Sequence, residues 1–71
     1  MVIESVKKAI AYQLPVTYRE NEYFVTGITM RIRDGKWYYQ LELHEMKANA
    51  ILIADMEKVI LKGEQQNEKN Q

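Results

Sequence analysis

The Asp34-Gly35 pair, set between two runs of alternating apolar and polar residues, constrains the fold of this chain more than any other feature. A two-residue Asp-Gly link is the favoured type I′ turn of a β-hairpin, because both residues tolerate a positive φ. The turn makes Arg33 face Lys36 and thereby fixes the pairing of every residue behind them. The predicted inward face of the hairpin consists of Ile28, Met30, Ile32, Trp37, Tyr39, Leu41 and Leu43.

An amphipathic helix is predicted at the start of the chain, from Ile3 to Tyr12. Ile3, Val6 and Ile10 are spaced three and four apart, so they form one apolar stripe. Pro15 biases the residue before it toward extended backbone, and we expect the helix to end before that point.

Short strands are predicted on both sides of the hairpin turn. The segment Val16–Tyr18 is β-branched and aromatic, and the polar segment Arg19–Glu22 predicts a turn after it. A long strand follows from Tyr23 to Arg33, and Gly27 inside it indicates a bulge or a sharp bend.

After the hairpin, the pattern changes to short apolar runs separated by polar segments. It predicts a loop at Glu45–Asn49, a strand at Ile51–Ile53, a 3₁₀ turn at Ala54–Glu57 with Asp55 as its cap, and a last strand at Val59–Leu61. The run Ile51–Ile53 is apolar on both strand faces, so either the N-terminal helix or another subunit must cover one of them.

Length and composition limit the class of protein. With 71 residues we expect one domain, residues 1–62, followed by a disordered polar tail at residues 63–71. The chain has no cysteine, which excludes disulfides and thiolate chemistry, and its formal net charge is zero. No apolar run is long enough to cross a bilayer, so we expect a cytoplasmic protein with no membrane partner.

The order of these elements predicts the fold class. A helix followed by five short strands, with a long bent second strand and a one-turn link before the last, is typical of α+β or mainly-β proteins with an antiparallel SH3-like or Sm-like barrel. The alternative is an open antiparallel sheet with the helix packed on one face.

The stretch "VTYRENEYFVTGITMRIRDGKWYYQLEL…AILIADMEKVIL" resembles the small Sm-like barrels of Gram-positive bacteria and their phages, including the YolD-like and Veg-like families. The bent strand around Gly27 and the element formed by Ile51, Ile53, Asp55, Met56 and Val59 carry this resemblance. It implies a barrel fold and an accessory or regulatory protein of a phage or other mobile element.

Residues suited to catalysis are sparse. His44 is the one histidine, and only Glu42 and Glu45 lie near it in the sequence. The turn accounts for Asp34, and the predicted cap accounts for Asp55. We therefore predict no enzyme activity, no catalytic residues, no metal site and no cofactor.

The outward face of the hairpin is the main candidate for binding. Arg31, Arg33 and Lys36 cluster near its tip, and Arg31 is expected to make a cation–π contact with Tyr38. Basic residues beside an aromatic ring are typical of weak single-stranded RNA or DNA binding. A solvated face or a protein-binding face would have the same composition.

Surplus aromatic residues favour a protein partner, because tyrosine is enriched at interfaces. We predict a small non-enzymatic binding module that acts through protein–protein contacts and forms homo-oligomers, with nucleic-acid binding as the alternative. The predicted protein-contact residues are Tyr23, Arg31, Arg33, Tyr38 and Met46, and the predicted nucleic-acid residues are Arg31, Arg33, Lys36 and Tyr38.

Overall fold

The computed structural model describes residues 1–62, which form one helix and a five-stranded antiparallel sheet. The elements in chain order are α1 (Ile3–Tyr12), β1 (Val16–Tyr18), β2 (Asn21–Arg33), β3 (Lys36–Glu45), β4 (Ile51–Asp55), a 3₁₀ turn (Met56–Lys58) and β5 (Ile60–Leu61). The tail predicted at residues 63–71 lies outside the described residues.

Helix α1 has the predicted bounds, but its buried face differs from the predicted stripe. Val6 and Ala9 are buried, whereas Ile10 is exposed. The helix ends at Tyr12, and the next residue, Gln13, adopts a left-handed conformation, while the Leu14 N–H donates to the carbonyl of Ala9 at 2.9 Å. This is a Schellman-type end, which satisfies carbonyls of the last turn before the chain enters β1.

The sheet has the strand order β4-β3-β2-β1-β5, so β4 and β5 form its two edges. Strand β1 pairs with both β2 and β5, and every pairing is antiparallel. No ladder joins β4 to β5 among the described residues. The structure therefore has an α+β fold with an open sheet. The predicted closed barrel would require a further ladder between the two edge strands, which these residues do not form.

The register of the hairpin agrees with the prediction at every pair from Arg33–Lys36 back to Ile28–Leu41. The ladder shifts between Val25 and Gly27, which confirms the predicted irregularity at the glycine. Thr26 is the additional residue of this bulge, and its hydroxyl donates to a carboxylate oxygen of Glu42 at 2.9 Å.

Two tight turns have left-handed backbone. Asp34 and Gly35 have φ values of 54° and 77°, as a type I′ turn requires. Arg19 and Glu20 have φ values of 51° and 70°, and β2 begins directly after them. The polar segment does form the predicted turn, but it is two residues shorter than predicted because the strand begins at Asn21 rather than Tyr23.

The hydrophobic core lies between α1 and one end of the sheet. Its fully buried side chains include Val6 from the helix and Leu41 and Leu43 from β3. The complete core consists of Val6, Ala9, Val16, Tyr23, Val25, Leu41, Leu43, Ala54, Val59 and Leu61. Most of the inward face predicted for the hairpin is absent from this set.

A 3₁₀ turn is present between β4 and β5 as predicted, but it spans Met56–Lys58 rather than Ala54–Glu57, and its predicted cap is wrong. Asp55 makes no side-chain capping hydrogen bond. Its Oδ1 instead accepts a hydrogen bond from Gln40 Nε2 at 3.0 Å, because the two residues face each other on β3 and β4. The amino group of Met1 donates to the carbonyls of Met56 and Val59 and so connects the start of the chain to this turn.

Within residues 1–62, the single helix is too short to cross a bilayer.

Candidate interaction surfaces of the hairpin and strand β4

The central hairpin has two parts with different neighbours. Near its base, β1 pairs with β2 from Asn21 to Tyr23, and β4 pairs with β3 from Gln40 to His44. Beyond these ladders, residues 28–39 form a two-stranded ribbon with no further strand beside it among the described residues. We call residues 28–39 the distal ribbon.

One face of the distal ribbon continues the apolar face of the core. Ile28, Met30, Ile32, Trp37 and Tyr39 lie on it, as the confirmed register requires; we call these five residues the hairpin apolar face. Met30 and Ile32 are each 57% exposed, and Trp37 is 62% exposed. The prediction that they form the core is wrong, because the core ends at Leu41.

The opposite face of the distal ribbon is basic. Arg31, Arg33 and Lys36 are exposed on it, and Tyr38 is partly buried among them. The predicted contact between Arg31 and Tyr38 is replaced by one from Arg33, whose guanidinium lies 4.7 Å from the ring centroid and donates to the Tyr38 hydroxyl at 3.0 Å. The long arginine side chain reaches the diagonal neighbour rather than the residue directly opposite.

The arginine–tyrosine contact reduces the ring surface that Tyr38 could offer to a nucleic-acid base. Single-stranded binding proteins use aromatic rings whose faces are open to stacking bases. One face of the Tyr38 ring is already covered by Arg33, so only the partly buried remainder of the ring is left for a base.

The two other predicted contact residues lie outside the ribbon. Tyr23 is only 5% exposed and packs edge-to-face against Tyr18, with 6.3 Å between the ring centroids. It belongs to the core and presents no contact surface. Met46 is exposed in the bend after β3, in a shallow depression that Phe24 and His44 also line.

His44 is partly buried and lies on the same sheet face as Phe24 and Ile51, which are its partners on β2 and β4. Among residues 1–62, no group of three or more His, Cys, Asp or Glu side chains is placed to hold a metal ion.

Strand β4 forms a second candidate surface. Only β3 pairs with it, so its outer side has no strand partner within the described residues. Ile51 and Ile53 are 59% and 52% exposed on one face, whereas Leu52 packs against the core on the other. Of the two apolar faces that the sequence predicted for this strand, the core covers the one that carries Leu52, and the one that carries Ile51 and Ile53 is exposed.

In comparisons with protein-family models, curated proteins and solved structures, nothing matches this chain.

Proposed function

We propose that this protein is a non-enzymatic binding module that recognises another protein through the hairpin apolar face. The observation that carries the proposal is the exposure of Met30, Ile32 and Trp37 on a face that continues the hydrophobic core. Contiguous exposed apolar surface of this kind marks interaction sites in soluble proteins, whereas single exposed apolar residues need no explanation.

The isolation of the distal ribbon supports this role. A two-stranded hairpin is at best marginally stable in water unless a face packs against other structure. The ribbon extends beyond the ladders of β1 and β4, and Met30, Ile32 and Trp37 on its apolar face are exposed. A partner that covers the apolar face would supply the missing packing, and Trp37 would be its main anchor because tryptophan is enriched among energetically dominant interface residues.

Charge indicates the chemistry of the partner. Three basic residues and one acidic residue occupy positions 31–36, so the hairpin tip is locally positive although the chain is neutral. A partner with an apolar surface bordered by carboxylates would complement both the hairpin apolar face and the tip. An accessory or regulatory role in a phage or other mobile element rests on the family resemblance alone and stays a prediction.

Single-stranded nucleic-acid binding by Arg31, Arg33, Lys36 and Tyr38 has less support. Three positive charges at the tip favour it, but Arg33 covers the only aromatic ring of that face. Retention of labelled single strands at low salt that is lost after Arg31→Ala with Arg33→Ala would favour this alternative over a protein partner.

Site-specific photo-cross-linking tests the proposal. A photoreactive amino acid is placed at Met30, on the apolar face, or at its neighbour Thr29, on the opposite face. In extract of the source cells, we expect a discrete protein adduct from position 30 that is strongly reduced from position 29. The second substitution Ile32→Lys should abolish the adduct.

The cross-linked protein is then identified, purified and tested for direct binding. Trp37→Ala should weaken its affinity about tenfold or more, as expected for a central anchor residue. Equal adducts from positions 29 and 30, or affinity unchanged by Trp37→Ala, would contradict the proposal.

A further inference from the structure

The outer side of β4 has unpaired backbone groups at known positions. The Ala50 carbonyl accepts a hydrogen bond from the Glu45 N–H of β3, so the backbone groups of Ala50 point toward β3. The backbone N–H and C=O groups of successive residues in a strand point to opposite edges of the strand. Those of Ile51 and Ile53 therefore point away from β3, toward the open edge of the sheet. Two N–H donors and two carbonyl acceptors are thus available to another strand.

Apart from Asp55 at its last position, this strand lacks the features that normally prevent pairing with another strand. Sheet edges are usually protected by charged residues, proline or bulges. The segment from Ala48 to Ala54 contains no charged residue and no proline, and β4 pairs with β3 in an uninterrupted register. Ile51 and Ile53 add exposed apolar side chains beside the unpaired backbone.

The sequence of the strand has its own two-fold symmetry. Residues 50–54 are Ala-Ile-Leu-Ile-Ala, the same in both directions around Leu52. In an antiparallel pair of two such strands centred on Leu52, each side chain faces one of its own kind. A two-fold interface is self-complementary in this way, because the same surface is used by both subunits.

We propose that β4 pairs with β4 of a second copy of this chain, in an antiparallel two-fold arrangement centred on Leu52. In this register Ile51 faces Ile53 of the other copy, and the outward groups of both residues form four interchain hydrogen bonds. The four isoleucines pack together on one face of the continuous ten-stranded sheet. This proposal does not depend on the hairpin apolar face or on its partner.

Oligomeric state measured over a range of concentrations is the first test, by light scattering or sedimentation of the full chain. We expect a concentration-dependent dimer. Ile53→Lys places a charge on the paired edge and should weaken the dimer about tenfold or more. Ile32→Lys is the matched control, because it makes the same change at a similarly exposed site on the hairpin and should leave dimerisation unchanged.

Cysteine cross-linking tests the register. The chain has no cysteine, so single substitutions give unambiguous products. Residues that face each other as a hydrogen-bonded pair have Cα atoms about 5.5 Å apart, within the range of a disulfide. Isotope-labelled Ile51→Cys mixed with unlabelled Ile53→Cys should give a mixed disulfide, and each variant alone should give several-fold less dimer.

Three results would overturn the proposal. The first is a monomer at all accessible concentrations. The second is a dimer that Ile32→Lys abolishes and Ile53→Lys retains, which would place the interface on the hairpin. The third is an assembly larger than two chains that Ile60→Lys disrupts, which would indicate pairing of β4 with β5. Since the photo-cross-linking at Met30 uses the hairpin, failure of that experiment is distinguishable from failure of this one.

Discussion

The two ends of the β2–β3 hairpin have the same sequence pattern and the same ladder but different surroundings. At the base, Val25, Leu41 and Leu43 face inward and are buried beneath the helix. In the distal ribbon, Met30 and Ile32 occupy the equivalent face and are exposed. Alternation therefore specifies which face of a strand is apolar, but neighbouring elements decide whether that face is inside the protein.

The difference follows from the lengths of the elements. Strands rise about 3.3 Å per residue and a helix only about 1.5 Å per residue. The ten residues of α1 therefore span only about 15 Å of the sheet, less than half the length of the 13-residue strand β2. A short helix over a long hairpin leaves one end of the hairpin uncovered, and this is the end that we propose binds a partner.

The largest expected effect is at the base of the hairpin. Leu41→Ala removes a fully buried side chain and should lower the free energy of unfolding by about 2–5 kcal/mol. Ile32→Ala, on the exposed part of the same face, should change it by about 0.5 kcal/mol or less. Urea unfolding followed by circular dichroism measures both. Equal losses would mean that the distal ribbon is part of the core.

The turn at the ribbon tip should give an intermediate effect. Gly35 has a φ of 77°, so Gly35→Ala forces an alanine into a left-handed conformation at a cost of about 1 kcal/mol. Because the ribbon has few contacts with the rest of the protein, we expect this loss to appear as faster amide hydrogen exchange at Ile32 and Trp37. Exchange at Leu41 and Leu43 should change much less.

An equal acceleration of exchange at the base would show that the hairpin unfolds as one unit. In that case the base and the distal ribbon would differ in burial but not in local stability.

A small effect on stability is expected from substitutions on the basic face. Arg33→Ala removes the cation–π contact and the hydrogen bond to Tyr38, which together should contribute about 0.5–1 kcal/mol at this exposed site. Arg31→Ala removes the same charge from a residue with no hydrogen-bond or ring partner among residues 1–62, so it should have a smaller effect on stability. If Arg31→Ala lowers the free energy of unfolding in urea more than Arg33→Ala does, the contact between Arg33 and Tyr38 is not the main stabilising interaction of this face.

Local chemistry explains what the sequence predicted well. Asp34-Gly35 fixed the register of the hairpin, and the apolar spacing and Pro15 gave the bounds of the helix. These features act over a few residues and depend little on the rest of the fold. The bulge at Gly27 was predictable for the same reason.

Predictions that depended on tertiary structure were less accurate. The burial of Tyr23 and the exposure of Trp37 depend on how far α1 and β4 extend over the sheet, which periodicity does not specify. The Arg19-Glu20 turn lacks the glycine or asparagine that usually marks a left-handed pair, so its two-residue length was missed. The position of Asp55 before the 3₁₀ turn predicts a cap, but its side chain instead accepts a hydrogen bond from Gln40, its partner across the ladder.

The fluorescence of Trp37 tests the central claim most directly, because it is the only tryptophan of the chain and lies on the hairpin apolar face. Acrylamide quenching is measured on the free protein and on its complex with the cross-linked partner. Strong quenching in the free protein and marked protection in the complex, with a blue shift of the emission, are the expected results. Weak quenching in the dilute free protein, or unchanged quenching in the complex, would contradict the assignment of this face to partner binding.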